Sequence, residues 1–102
     1  ASKGHALILP KEHYANLYEL DDKIAEKVLV LAKQMVTKLT DILGCDGYNI
    51  IQNNGIVAGQ SVFHYHMHLI PRYKEDTVDI KWELGNLTDK DKEYILKKMN
   101  EK

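Results

Sequence analysis

The sequence predicts an α+β domain in which a small antiparallel sheet is combined with one long helix and a short C-terminal helix. Apolar residues recur every three or four positions between Asp22 and Leu43, which is typical of an amphipathic helix. Apolar and polar residues instead alternate over residues 62–70, which is typical of a half-buried strand. The chain has 102 residues, enough for one hydrophobic core. We therefore expect a single domain over residues 1–102.

The first predicted elements are a strand and the long helix. Residues 6–9 form a short apolar run that predicts a buried strand, stopped by Pro10. Asp21 or Asp22 can cap the start of the helix, and Gly44 can end it. The helix has a broad apolar surface, which can contact both its own sheet and a second subunit. Its periodic apolar positions are Ile24, Val28, Leu31, Met35, Leu39 and Ile42.

The remaining elements complete an antiparallel meander. Residues 48–52 predict the next strand, and residues 53–55, Asn-Asn-Gly, are typical of a turn leading to the histidine-rich strand. The segment 73–87 is polar and poorly periodic. Thr88 then caps a short final helix that extends to about Met99.

Composition and charge exclude several classes of partner. The net charge of -1 shows no basic excess, so binding to long nucleic acid through many phosphate contacts is not expected. No apolar run has the length of a membrane span, so no membrane partner is expected. The single cysteine, Cys45, suits a reducing compartment and a packing role at the helix end, which makes the cytoplasm the expected location. No cofactor is expected.

Three histidines with a spacing of two residues are the main functional signal. In an extended chain His64, His66 and His68 project to one face, while apolar residues project to the other and anchor the strand. A core strand rarely carries three groups that titrate near neutral pH, so this pattern predicts a chemical site. Spacing alone leaves open both imidazole catalysis and a zinc site. The apolar residues of the opposite face are Phe63, Tyr65, Met67 and Leu69.

The segment that precedes these histidines favours an anion over a metal ion. Residues 53–61 contain glycines, amides and a hydroxyl group, and they contain no carboxylate or thiolate. Gly55 and Gly59 permit positive φ and close backbone approach, so consecutive N–H groups can turn inward as a phosphate-binding nest.

Residues 64–70 resemble the signature of the histidine triad (HIT) nucleotide hydrolases and transferases. That signature reads His-φ-His-φ-His-φ-φ, with φ apolar, and every position here fits. The resemblance continues upstream through residues 59–62, Asn53 and residues 4–14, and it implies a HIT-like fold. Family members that transfer a nucleotidyl group to a hexose phosphate have glutamine at the third histidine. His68 therefore points to the hydrolases.

The resemblance also implies a difference in length. Family members usually carry a few dozen residues before the position where this chain begins, at Ala1. Those residues supply further strands and part of the base and ribose pocket. We therefore expect the chain to lack the N-terminal part of the domain.

The resemblance assigns roles that spacing alone does not. It implies that His66 attacks phosphorus and forms a nucleotidyl-histidine, and that His68 contacts phosphoryl or leaving-group oxygens. His64 and His5 are expected to orient and polarise the row. The residues expected to bind substrate are Asn53, Gly59, Gln60, Ser61 and Val62.

The expected function is hydrolysis that releases a nucleoside monophosphate from a phosphoramidate or phosphoanhydride, by a homodimer. The alternatives are a diadenosine polyphosphate hydrolase, a zinc-binding module and a catalytically weak nucleotide-binding module. Some family members hold structural zinc with an N-terminal Cys-x-x-Cys and two histidines, which His13 and His64 resemble. Zinc is therefore expected only if a longer parent chain supplies the cysteines.

Overall fold

Three antiparallel strands form the sheet in the order β1-β3-β2. They are β1 (Ala6–Ile8), β2 (Gly47–Ile51) and β3 (Met67–Arg72). The computed structural model describes residues 1–101. In the register of the central strand, His68 lies between Leu7 of β1 and Ile51 of β2. The α+β class and the antiparallel sheet are confirmed.

The long helix has the predicted limits. Helix α1 spans Asp22–Leu43, and the Asp21 carboxylate accepts hydrogen bonds from two backbone N–H groups of its first turn, at 3.1 and 3.2 Å. Gly44 ends the helix with φ of 63°, a left-handed conformation that glycine adopts without a steric penalty. Val28 and Ala32 are buried against the sheet.

The core lies between α1 and one face of the sheet. Leu69 in β3 is fully buried at its centre, and Ala32 of α1 is equally inaccessible. The predicted strand of residues 6–9 is buried on one side only, because Leu7 and Leu9 are half-exposed while Ile8 is buried. The buried cluster consists of Ile8, Leu20, Val28, Ala32, Tyr65, Met67 and Leu69.

The strand predicted for residues 62–70 was wrong in its first half. β3 begins at Met67, and residues 62–64 bend, which leaves Phe63 half-exposed instead of packed. The pairing with β1 ends at Ile8, and Pro10 two residues later has no N–H to donate to a ladder. The Tyr65 N–H donates instead to the carbonyl oxygen of Tyr14, which is not a strand residue, at 2.6 Å.

A charged clamp fixes the chain where it leaves β3. The Arg72 guanidinium donates to both carboxylate oxygens of Asp76, at 2.8 and 3.0 Å, and to the Asn49 side-chain oxygen at 2.7 Å.

The final helix, α2, spans Asp89–Asn100. Thr88 caps α2 as predicted, since its hydroxyl oxygen accepts an N–H from the first turn at 3.1 Å. The side chains of α2 are exposed.

The clamp predicts a pH-dependent contribution to stability. The Arg72 guanidinium lowers the pKa of Asp76 from 3.8 to about 2. A carboxylate whose pKa is lowered by folding stabilises the folded state above its ordinary pKa, and this contribution is lost as the pH falls towards the folded value. Asp76→Asn should therefore reduce the free energy of unfolding at neutral pH, and the difference from the parent should shrink below about pH 4.

Urea unfolding of the parent and the variant at several pH values measures this difference. Asp41→Asn, which removes an exposed carboxylate of α1, is the matched control. A difference between Asp76→Asn and the parent that stays constant as the pH is lowered would contradict the assigned role of the ion pair.

Candidate active site

The histidine row lies on β3 and on the extended residues just before it. His68 belongs to the strand, whereas His64 and His66 precede its first residue. Each of the three is partly exposed, while Tyr65 and Met67 between them are buried. The alternation of side chains therefore begins before the hydrogen-bonded ladder does.

The ring of His66 is held in one tautomer. Its Nδ1 lies 2.8 Å from the carbonyl oxygen of His64, and a carbonyl only accepts, so Nδ1 carries the hydrogen. In a neutral imidazole the other nitrogen, Nε2, then has a free lone pair. A nucleophilic histidine requires this arrangement.

His5 and His68 form a second directed contact. The backbone nitrogen of Ala1, a donor, lies 2.7 Å from His5 Nδ1, which therefore accepts. His5 Nε2–H consequently donates to His68 Nδ1 at 2.9 Å, so His68 Nε2–H points outward as a donor. Burial lowers the pKa of both rings and favours their neutral forms. The ring centres of His66 and His68 are 5.1 Å apart, so a ring nitrogen with a free lone pair and a ring N–H are neighbours.

The imidazole of His64 lies apart from this group. Its Nε2–H donates to the carbonyl oxygen of Pro10 at 3.0 Å, and its Nδ1 lies 3.2 Å from Nδ1 of His13. The five histidines therefore form two groups, His5 with His66 and His68, and His13 with His64. His64 orients His66 through its backbone carbonyl and not through its ring.

The facing rings of His13 and His64 are not enough for a zinc site. A structural zinc ion takes four nitrogen or sulphur ligands in a tetrahedron. Within residues 1–101 no group of three or more histidine, cysteine, aspartate or glutamate side chains is arranged to hold a metal ion. The residues present therefore do not fit zinc without ligands from elsewhere.

The glycine-containing segment before the histidines forms a tight loop. A short 3-10 helix, Ile56–Ala58, lies between Gly55 and Gly59, whose φ angles are 93° and 96°. The sequence predicted positive φ at both glycines, because glycine has no Cβ atom to oppose it. A Cβ atom at Gly59 would lie 3.6 Å from the side-chain nitrogen of Asn53, which brings Asn53 next to the loop.

The nest of N–H groups is smaller than predicted. The N–H of Gly59 donates to Ile56 O and the N–H of Gln60 donates to Gly55 O, both at 3.0 Å inside the loop. In the part of the chain that the structure describes, the N–H groups of Ser61 and Val62 have no such partner. An anion in this loop would therefore be held by Ser61 and Val62.

The Gln60 side chain is not available to a ligand. It is 3% exposed, and its amide is hydrogen-bonded within the protein at both its oxygen and its nitrogen. Gln60 was expected from the sequence to bind substrate, but its side chain is instead used for hydrogen bonds within the protein. Sequence reasoning also missed three backbone carbonyls, those of Pro10, Tyr14 and Ala15, which orient His64, Tyr65 and Gln60. Every residue type has a backbone carbonyl, so the sequence does not indicate which carbonyls have this role.

An apolar cavity of about 150 Å³ adjoins the histidines. Its volume is small, and its walls combine aliphatic side chains with two imidazoles. Such a lining suits a weakly polar group. The lining residues are Leu7, Leu9, Val62, His64 and His66.

Comparison with known proteins places the chain in a family. The HIT domain model matches residues 1–75. Adenosine 5'-monophosphoramidase of Schizosaccharomyces pombe is 47% identical over 75 residues, which are 74% of this chain and 53% of that protein. The enzyme of the same description from Candida albicans is 38% identical over 118 aligned positions, covering 99% of this chain and 75% of that protein.

A solved structure shows the same fold. The crystal structure of a HIT family member from Bacillus subtilis superimposes with a TM-score of 0.86 at 37% identity, over 96% of this chain and 72% of that one. The chain belongs to the histidine triad family. It spans between about half and three quarters of the length of the two yeast relatives.

The contact between His5 and His68 predicts a measurable titration. Burial lowers the pKa of His68 below 6.5, and the charges of His5 and His66 lower it further. In an NMR titration His68 should become protonated below pH 6.5, and His5→Asn should reduce this shift. A His68 pKa at or above 6.5 in the parent would contradict the contact as described.

The lowered pKa of His68 also affects the stability of the folded state. A histidine whose pKa is lowered by folding favours the folded state above its ordinary pKa, and that stability is lost as the pH falls below it. No helix among the described residues is long and apolar enough to cross a membrane.

Proposed function

We propose that the chain is a nucleotide hydrolase that releases a nucleoside monophosphate from a phosphoramidate or phosphoanhydride. The observation that carries the proposal is the 2.8 Å hydrogen bond from His66 Nδ1–H to the His64 carbonyl oxygen, beside the outward Nε2–H of His68. The hydrogen bond leaves His66 Nε2 free to attack, and the neighbouring His68 Nε2–H is free to donate a hydrogen bond to the leaving group.

The first step is attack of His66 Nε2 on phosphorus. A P–N bond to His66 forms while the bond between phosphorus and the leaving group breaks. The Nδ1–H of His66 stays bonded to the His64 carbonyl, which stabilises the positive charge that the ring gains. His68 Nε2–H donates a hydrogen bond to the leaving amine or oxygen, which takes its proton from water, and the hydrogen bond from His5 supports this donor.

The second step returns the enzyme to its starting state. Water attacks phosphorus and the P–N bond to His66 breaks, which releases the nucleoside monophosphate. The proton that the attacking water loses neutralises the hydroxide left by the first step, so the two steps together consume one water molecule. Each imidazole therefore ends in the protonation state in which it began.

The phosphate oxygens face the loop before the histidines. The N–H groups of Ser61 and Val62 and the side chain of Asn53 are the proposed donors. Gly59, beside Asn53, adopts a positive φ that favours glycine. The nucleoside lies against the apolar cavity that includes Leu7.

The proposed leaving group is an amine, by similarity to the yeast relatives, which are described as adenosine 5'-monophosphoramidases. Adenosine is the proposed nucleoside for the same reason. A diadenosine polyphosphate hydrolase would use the same two imidazole steps with a phosphate leaving group. The cytoplasm is the proposed compartment, in keeping with a single cysteine.

His66→Ala should abolish turnover of adenosine 5'-phosphoramidate, because the attacking nitrogen is removed. We expect a loss of kcat of more than about a thousandfold, by analogy with other removed nucleophiles. The fold should persist, because the neighbours Tyr65 and Met67 remain buried. Release of adenosine monophosphate is measured by chromatography, and folding by circular dichroism.

Tyr18→Ala, at a side chain that is 88% exposed, is the control that should keep the parent rate. Parent protein that is incubated with labelled substrate and then denatured at alkaline pH should retain label on histidine, and His66→Ala should not. Turnover at the parent rate by His66→Ala would exclude His66 as the nucleophile. A faster reaction with diadenosine tetraphosphate than with the phosphoramidate would favour the polyphosphate alternative.

We also propose that the chain forms a twofold homodimer. Leu29 and Val30 of α1 are 63% and 56% exposed, and Ile50 of β2 is 48% exposed beside them. Together they border an apolar groove of about 490 Å³ between the helix and an edge strand. Burial of this apolar surface in a second copy would stabilise a small domain.

Sedimentation of the parent at micromolar concentration should give twice the chain mass of 11.7 kDa. Val30→Glu should shift the protein towards the monomer, because the new carboxylate would be buried without a partner. Tyr18→Glu adds the same charge elsewhere and should leave the dimer intact. A monomeric parent would contradict the proposal.

A further inference from the structure

Gln60 is the one polar side chain that is buried among residues 1–101. It lies in the loop proposed to hold phosphate, two positions before Val62. A buried amide without hydrogen-bond partners would cost about 1–3 kcal/mol, so its surroundings decide its role.

Every part of the Gln60 amide is engaged with backbone. The Oε1 atom accepts the N–H of Gly55 at 2.9 Å. The Nε2 atom donates one hydrogen to the carbonyl oxygen of Ala15 at 2.6 Å and the other to that of Val62 at 3.2 Å. The backbone N–H of Gln60 donates to Gly55 O at 3.0 Å, so Gly55 and Gln60 close the loop with a reciprocal pair.

These contacts join the two sides of the candidate active site. The bond to Val62 O fixes the peptide plane that follows the proposed phosphate donors. The bond to Ala15 O holds the segment next to Tyr14, whose carbonyl oxygen accepts the Tyr65 N–H at 2.6 Å, between His64 and His66. One amide therefore links the phosphate loop to the backbone that carries the histidines.

We infer that Gln60 is a positioning residue, which holds the N–H groups of Ser61 and Val62 in place relative to His66 and does not touch the substrate. This inference rests on the proposed function. It differs from a ligand-binding role because both amide hydrogens of Gln60 already point at carbonyl oxygens of the protein.

Gln60→Glu is the informative variant because it keeps the shape of the side chain. Its carboxylate faces the carbonyl oxygens of Ala15 and Val62 without a hydrogen to donate, and the repulsion displaces the side chain from the Gly55 N–H as well. Burial and these two oxygens raise the pKa of the new carboxyl group. Protonation at lower pH restores one donor, so the defect should be partly reversed by acid.

The matched control is Gln34→Glu, which makes the same change on the exposed face of α1. Binding of adenosine monophosphate to the parent and both variants is measured by calorimetry from pH 8 to pH 5.5. At pH 8 Gln60→Glu should bind at least tenfold more weakly than the parent and show a raised KM. The ratio of parent to variant affinity should fall as the pH is lowered, whereas Gln34→Glu should follow the parent throughout.

Hydrogen exchange of the Gly55 amide, without any ligand, separates this inference from the proposed function. Loss of Gly55 protection in Gln60→Glu at pH 8, and its partial return at pH 5.5, would support the positioning role even if the parent binds no nucleotide. Unchanged Gly55 protection, or parent-like nucleotide affinity in a folded Gln60→Glu protein at pH 8, would overturn it. If Gln60→Glu does not fold, Gln60→Met, of similar shape and without charge, takes its place: the Gly55 amide should lose protection, and unchanged protection overturns the inference.

Discussion

The pairing of β3 with a strand on each side is the constraint on which the rest of the structure depends. β3 lies between β1 and β2, and Leu69 at its centre is fully buried against α1. Because side chains alternate along a strand, burial of Met67 and Leu69 sends His68 to the opposite face. The packing of the core therefore sets the direction of the proposed hydrogen-bond donor.

The hydrogen-bond partners of the imidazoles decide which ring nitrogens donate and which accept. His66 donates to the carbonyl oxygen of His64, and this leaves Nε2 as a base, whereas His68 receives a hydrogen bond from His5 and keeps an outward N–H. The His64 ring turns to Pro10 and His13. Three histidines with the same spacing thus acquire three different environments.

The loop before the histidines shows the same dependence on backbone groups. Gly55 and Gly59 adopt positive φ angles and close a turn that uses three of its own N–H groups, those of Ala58, Gly59 and Gln60. The donors left towards the site are those of Ser61 and Val62, and the Gln60 amide is directed into the protein. The position of a residue in a motif therefore does not tell whether its side chain faces the ligand or holds the loop.

The sequence by itself determined the elements whose signals are local. The periodicity from Asp22, the caps at Asp21, Gly44 and Thr88, and the class of the fold follow from side-chain pattern and backbone preference. The histidine spacing also identified the candidate site.

Only the tertiary structure decided where β3 begins, which ring pairs with which, and which loop groups remain for a ligand. Each of these depends on contacts between residues far apart in the chain, such as Tyr65 with Tyr14 and Gln60 with Ala15. Their partners are backbone atoms that every residue type carries, so they leave no pattern in the sequence.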